Sequence, residues 1–150
     1  MLIFSQFTEH LALVRTALSV GGFELRYLDG STPAAAREAE VTAFSAGQGD
    51  AFLLSIKAGG TGINLTAASD VVILDPWWNP AVEDQAAGRA HRIGQTRNVT
   101  VYRIVTRETV DEQILALHGS KRELIAGVLD GTGGGGTLSM DELVGLLRGD

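Results

Sequence analysis

The sequence predicts an α/β fold: an open, mostly parallel sheet with helices on both faces, followed by a C-terminal helix. Three observations carry this expectation. Short apolar runs that suit strands alternate five times with segments whose apolar residues recur every three or four positions. Two of the runs, 51–56 and 71–74, are almost continuously apolar, as strands covered on both faces are. The chain has 150 residues, the size of one ordinary domain, and 45% of them are hydrophobic against 20% charged.

Leu2-Ile3-Phe4 opens the first strand with no preamble, so a piece of a longer protein is expected. Residues 6–20 read as a helix with Phe7, Leu11, Val14 and Leu18 on one face, stopped by Gly21-Gly22. Phe23 to Leu28 is the second strand. Ser31-Thr32-Pro33, a hydroxyl cap with proline in the first turn, opens a helix whose core contacts are Val41 and Phe44 and which ends at Gly47. Ala51–Ile56 and Val71–Leu74 are the third and fourth strands. Asn79-Pro80 starts a helix expected to run to about Arg92, and Val99–Val105 is the last strand. Thr109-Val110-Asp111-Glu112 has the form of a capping box, and the helix behind it carries Val110, Ile114, Leu117, Leu124, Ile125 and Val128 on one stripe. The glycine tract after Asp130 reads as a flexible linker by composition, and Ser139 to Glu142 caps a short helix with Leu143, Leu146 and Leu147. The expected division is a lobe at 1–107, a helix at 108–129, a linker at 130–138 and a terminal helix at 139–150.

Composition narrows the function. A net charge of −6, from 12 Lys+Arg against 18 Asp+Glu, argues against a broad DNA-binding face but leaves room for a narrow one. Only Lys57 and Lys121 are lysines; arginine suits forked contacts with phosphate or carboxylate. With no cysteine and with His10, His91 and His118 scattered, no metal site is expected. No apolar run reaches 18 residues and the first residues do not form a signal peptide, so no membrane partner is expected. No Gly-x-Ser-x-Gly elbow occurs, and no Gly-Lys-Ser/Thr loop is present to cradle a triphosphate.

Three segments carry chemistry. Lys57-Ala58-Gly59-Gly60-Thr61-Gly62 follows a buried strand; it either exposes successive N–H groups to an anion or makes a plain tight turn. In Gln85 to Gln95, helical spacing sets Gln85, Arg89 and Arg92 on one face, left uncrowded by Gly88 and the alanines. Two adjacent guanidinium groups suit a polyphosphate; the alternative is a surface ion-pair network with Glu83, Asp84 or Asp75. Asp75-Pro76-Trp77-Trp78-Asn79-Pro80 is a stiff aromatic corner, with one ring expected in the core and one exposed. An exposed ring suits stacking on a base, a sugar or a partner surface.

Leu2-Ile3-Phe4-Ser5-Gln6-Phe7, Leu28-Asp29-Gly30-Ser31-Thr32, Ala58 to Leu65, Trp78-Asn79-Pro80 and Gln85 to Gln95 stand in helicase-motif order. Together they resemble the second RecA-like lobe of the Swi/Snf-type ATPases of helicase superfamily two, and the resemblance covers about residues 1–129. It implies that Arg89 and Arg92 reach across an interlobe cleft to the ATP γ-phosphate, with Gln85 beside them. It places Gly60, Gly62 and Asn64 in a nucleotide-sensing loop. Ser5, Gly30, Ser31, Lys57 and Thr61 fall in segments facing the phosphates of one DNA strand, and Trp78 joins that DNA-binding set. The helix from Val110 to about Leu129 resembles the brace that packs back across the two lobes.

The family's phosphate loop and acidic magnesium motif belong to the first lobe. ATP and Mg are therefore expected to be bound mainly by that absent lobe, and the isolated lobe to be inactive. The expected partners are double-stranded DNA and the first lobe, with a protein cargo as a further class. The compact chain has no room for the usual eukaryotic insertions, and its terminal helix is similar to the tail of many bacterial members. A bacterial, cytoplasmic, nucleoid-associated protein is thus expected. The function implied is the second motor lobe of an ATP-dependent double-stranded DNA translocase or remodeller. An alternative is a protein-binding module of an ATPase that remodels a transcription or other protein assembly. A dinucleotide or nucleotide-sugar enzyme on a similar sheet is disfavoured, because Ser5-Gln6-Phe7 lacks a glycine fingerprint.

Overall fold

The computed structural model describes residues 1–58 and 63–129. The chain divides into two compact units, Met1–Ile104 and Val105–Asp150. The first holds strands β1 (Leu2–Ser5), β2 (Leu25–Leu28), β3 (Ala51–Ser55), β4 (Asp70–Ile73) and β5 (Thr100–Arg103), with helices α1 (Thr8–Val20), α2 (Ala34–Ser45) and α3 (Pro80–Ala87). The second contains α4 (Val110–Leu129). The glycines and threonine of the loop at 59–62, among them Gly60, Thr61 and Gly62, lie outside the described residues, as do the expected linker and terminal helix at 130–150.

The sheet order is β2-β3-β1-β4-β5, and every neighbouring pair is parallel. Ile3 stands beside Leu53 on one side and Val72 on the other. All residues of β1 and β3 are buried, whereas the edge strands β2 and β5 are not. That difference explains why the continuously apolar runs sit centrally.

Strand alternation divides the core between two faces. Leu2, Phe4, Leu28, Phe52, Leu54, Val71 and Ile73 join Phe44 of α2 and Ala86 of α3 in one cluster. Ile3, Ala51 and Leu53 join Leu11 of α1 in the other, with Val14 and Leu18 packed against it. Helices therefore cover both faces, and each fully buried leucine or phenylalanine contributes about 1.5–3 kcal/mol.

Several element ends differ from the sequence expectation. Helix α1 begins at Thr8, and Phe7, expected on its core face, is 56% exposed at the cap position. Phe23 precedes β2 and is also half exposed. At α2, Pro33 itself takes the cap position and no side chain caps the helix. The Thr32 hydroxyl turns back instead to the Asp29 amide at 3.0 Å. In the second unit the capping exchange is displaced by one residue. Thr109 Oγ1 accepts from the Asp111 amide at 3.3 Å, and Glu112 accepts from the Glu108 amide at 3.0 Å.

The topology creates one crevice. Strand β1 hands the chain to α1 and β2 on one side, and β4 hands it to α3 and β5 on the other. Their adjacent carboxyl ends part there, the place where open α/β sheets bind ligands.

Candidate functional site

The arginine segment departs from the helical expectation. Asn79 caps α3 by accepting from the Ala81 amide at 3.2 Å, with Pro80 at the first position, but the helix ends at Ala87. Beyond it the Arg89 amide donates to Ala86 O at 3.2 Å and the Ala90 amide to Ala87 O at 3.0 Å, a tighter turn. A side chain at Gly88 would bring its Cβ to 3.1 Å from Asp84 O, so glycine lets this turn close. Gln85 is on the exposed side of α3, while Arg89 and Arg92 are on the irregular segment after it. The three do not form one helical ridge.

Arg89 is only 6% exposed, and its Nε has no hydrogen-bond partner. Burial lowers its pKa, and the charge of Arg92 lowers it further, so the two guanidinium groups feel each other. Arg92 itself is exposed. Among the described residues no carboxylate pairs with Arg89. Glu83, an acid weighed as its neutralising partner, is wholly buried and accepts from Arg103 Nε at 2.7 Å and from the Trp77 amide at 2.8 Å. A buried cation without a counterion is costly. The arrangement is ready for an anion.

Further hydrogen bonds fix this turn. The Leu65 amide donates to the Arg89 carbonyl at 3.0 Å. Gln95 Nε2 donates to the carbonyls of Thr66, Ala68 and Ala90 at 3.0, 2.8 and 3.2 Å. Its Oε1 accepts from the Arg97 amide at 3.0 Å, and Arg97 Nη2 donates to Ala67 O. The stretch after β3, which bears the exposed Asn64, is thereby tied to the arginine turn.

At the crevice between β1 and β4, Asp75 gathers three groups. It accepts from the Ser5 hydroxyl and from the Gln6 amide at 2.7 Å, and His10 Nδ1 lies 3.6 Å away. Ser5 is wholly buried. Its hydroxyl also donates to Phe7 O at 3.2 Å, within the β1–α1 turn. Trp77 is partly buried against the core, and Trp78 is 50% exposed, the expected division of the two rings.

The remaining candidates sit on two turns. Asp29 Oδ1 accepts from the Ser31 amide at 2.8 Å and the Ser31 hydroxyl at 2.6 Å, and Oδ2 accepts from Tyr27 at 3.0 Å. The Ser31 hydroxyl bond, the largest influence, draws the Asp29 pKa below the ordinary carboxylate range. Both Ser31 donors are therefore committed to Asp29, so Ser31 orders the turn and offers no proton outward. Gly30 is exposed, and a Cβ there would meet nothing within 4 Å. Lys57, also exposed, is on the second turn.

Sequence reasoning missed Arg37, Gln95 and the Glu83–Arg103 pair, each of which has at least one hydrogen bond to a residue 20 or more positions away. No local pattern signals them. The described residues hold no cluster of three His, Cys, Asp or Glu able to take a metal ion. Among them, no helix is long and apolar enough to cross a membrane.

The family model of the helicase conserved C-terminal domain matches residues 1–94. The chain is 46% identical over 146 residues to helicase-like transcription factor CHR27 of Arabidopsis thaliana, covering 95% of this chain and 14% of that protein. It is 46% identical over 129 residues to DNA repair protein RAD5A of the same plant, covering 85% of this chain and 12% of that one. The crystal structure of the C-terminal part of the Fun30 ATPase domain matches with a TM-score of 0.74 and 41% identity, covering 77% of this chain and 38% of that chain. The chain thus spans a small fraction of the curated relatives' length. These plant relatives give no support to the expected bacterial source or to a nucleoid location. The five parallel strands and their helices are a RecA-like α/β fold, and by its family match the chain belongs to the helicase conserved C-terminal domain family, with relatives of the Swi/Snf type.

Proposed function

We propose that this chain is the second motor lobe of an ATP-dependent translocase or remodeller acting on double-stranded DNA. The observation that carries this reading is the buried, partnerless Nε of Arg89 beside Arg92. Phosphate oxygens supply the missing acceptors, and the charge spread over a transferring phosphoryl group is met by both guanidinium groups. Comparable arginine fingers are worth about 10³–10⁵ in rate. Gln85 stands at the end of α3 to bind or orient groups at the same phosphates. Asn64, with Gly60 and Gly62, forms the nucleotide-sensing stretch, and the Leu65–Arg89 bond couples it to the arginines.

ATP is held mainly by a first RecA-like lobe, with which this lobe forms the cleft. Magnesium, when bound there with ATP, neutralises phosphate charge; the described residues of this chain offer it no ligand cluster. The isolated lobe accordingly does not turn over ATP. DNA is met through its backbone, by the Lys57 ammonium, the Gly30 amide and Thr61, with Trp78 beside them and with Ser5 and Ser31 shaping the turns. Such contacts are largely blind to sequence. They also need no broad basic face, consistent with the net charge of −6.

A second reading rests on the half-exposed Trp78 and the fully exposed Ile93, which suit docking of a protein cargo. The test that separates the two is ATP turnover by the full-length protein with duplex DNA, single-stranded DNA, RNA or a protein assembly added. Duplex DNA is expected to stimulate it most. Turnover indifferent to nucleic acid would contradict the translocase reading.

A further inference from the structure

Arg37 is on the first turn of α2, and its guanidinium reaches back past the start of that helix. Nη1 donates to Ala58 O at 2.7 Å, and Nη2 is shared between Asp29 O and Thr32 O, each at 3.4 Å. One planar group thereby joins the turn after β2 to the turn after β3. Among the described residues it pairs with no carboxylate, so its charge stays behind both turns uncompensated. The first turn is internally rigid. Asp29 collects the Ser31 amide and hydroxyl and the Tyr27 hydroxyl, and the Thr32 amide closes back on Asp29 O at 3.3 Å. A rigid turn tied at its carbonyls moves as a unit with whatever holds those carbonyls.

We propose that Arg37 is a positioning residue for DNA: its forked guanidinium sets the spacing between Gly30 and Lys57, so that both turns meet the phosphates of one strand together. This rests on the backbone-contact reading above and adds to it the element that aligns two otherwise separate loops. The fork is essential, because a lysine ammonium carries the same charge but cannot present two divergent N–H groups in one plane. Neither turn needs Arg37 to form, since each has its own internal bonds; Ala58, for instance, donates its amide to the Ser55 hydroxyl at 3.2 Å.

The test uses the full-length protein and short duplex DNA, reading half-saturating DNA concentration separately from turnover at saturating DNA. Lys57→Ala and Gly30→Ala report on the two turns. Each is expected to raise half-saturating DNA by about threefold or more, Gly30→Ala by setting a Cβ in the way of the approaching phosphate and Lys57→Ala by removing a charge, with a shallower salt dependence for Lys57→Ala. Arg37→Lys is expected to raise it about fivefold while turnover at saturating DNA stays within about twofold, because coupled sites share their effect. In the Arg37→Lys background, Lys57→Ala and Gly30→Ala should each add less than about 1.5-fold, since the aligned contact is already lost. A purely structural role would leave those effects multiplicative, and full multiplication overturns the proposal, as does unchanged half-saturation in Arg37→Lys. Arg37→Gln serves as a second variant, and it should behave at least as severely. If Lys57→Ala and Gly30→Ala alone change nothing, the DNA-contact reading fails and takes this inference with it; if they act but Arg37→Lys does not, only the positioning role fails.

Discussion

Arg103 Nε donates to the Glu83 carboxylate at 2.7 Å, tying β5 to α3. Glu83 lies one turn of helix and a short bend before Arg89, and sequence alone allows the two to neutralise each other. In the fold, β5 claims the acid first. Arg89 is left buried with an unsatisfied Nε.

The Glu83–Arg103 pair is asymmetric, since Glu83 is fully buried while Arg103 is about a quarter exposed. Arg103→Met should destabilise the chain by about 3–5 kcal/mol, because it takes the guanidinium away from a buried carboxylate. Glu83→Gln keeps an acceptor for the Trp77 amide and should cost only about 1–3 kcal/mol. The double variant should be more stable than Arg103→Met alone. Equilibrium denaturation of the three variants checks this, and simple additivity would count against it.

Asp75 is the fastening of the crevice between β1 and β4. Replacing it with alanine strands the Gln6 amide and leaves the buried Ser5 hydroxyl only its 3.2 Å bond to Phe7 O as donor. A loss of about 1–3 kcal/mol per stranded donor is expected, so Asp75→Ala should cost more than Ser5→Ala. Urea unfolding of both variants measures the difference, and equal or negligible losses would refute the assignment.

Asp29 makes stability depend on acid. Its native pKa is lowered, chiefly by the Ser31 hydroxyl, so its contribution is present above the unfolded aspartate value of about 3.9 and fades as pH falls through the lower native value. The stability gap between the wild type and Asp29→Asn should therefore be constant from neutral pH down to about pH 4 and shrink below it. Denaturation curves across that range give the answer; a gap that persists unchanged into strong acid would contradict the sign.

Much of the fold was legible because strand burial leaves a local trace. Ala51–Ser55 and Val71–Ile73 are apolar runs and lie inside the sheet, while β5, with its alternating exposure, lies at an edge. Element ends were less legible. Phe7 and Phe23 fit a core pattern by type but stand outside it, and Gly88 ends α3 before the arginines that helical spacing had placed on its face. The candidate site was readable as a set of residue types, not as a set of partners. Arg37, Gln95, Glu83 and Asp75 each have a partner, a carbonyl, a guanidinium or a hydroxyl, that lies 20 to 70 residues away, and no periodicity reports such pairings.

The most direct measurement is DNA-stimulated ATP turnover by full-length protein carrying Arg92→Ala, with DNA affinity read in parallel. Arg92 is exposed, so its loss leaves the packed core intact. Turnover should fall by about 10³-fold or more while DNA binding persists, the range of an arginine finger. Turnover within about threefold of wild type would show that these guanidinium groups do not meet the phosphoryl group in transfer.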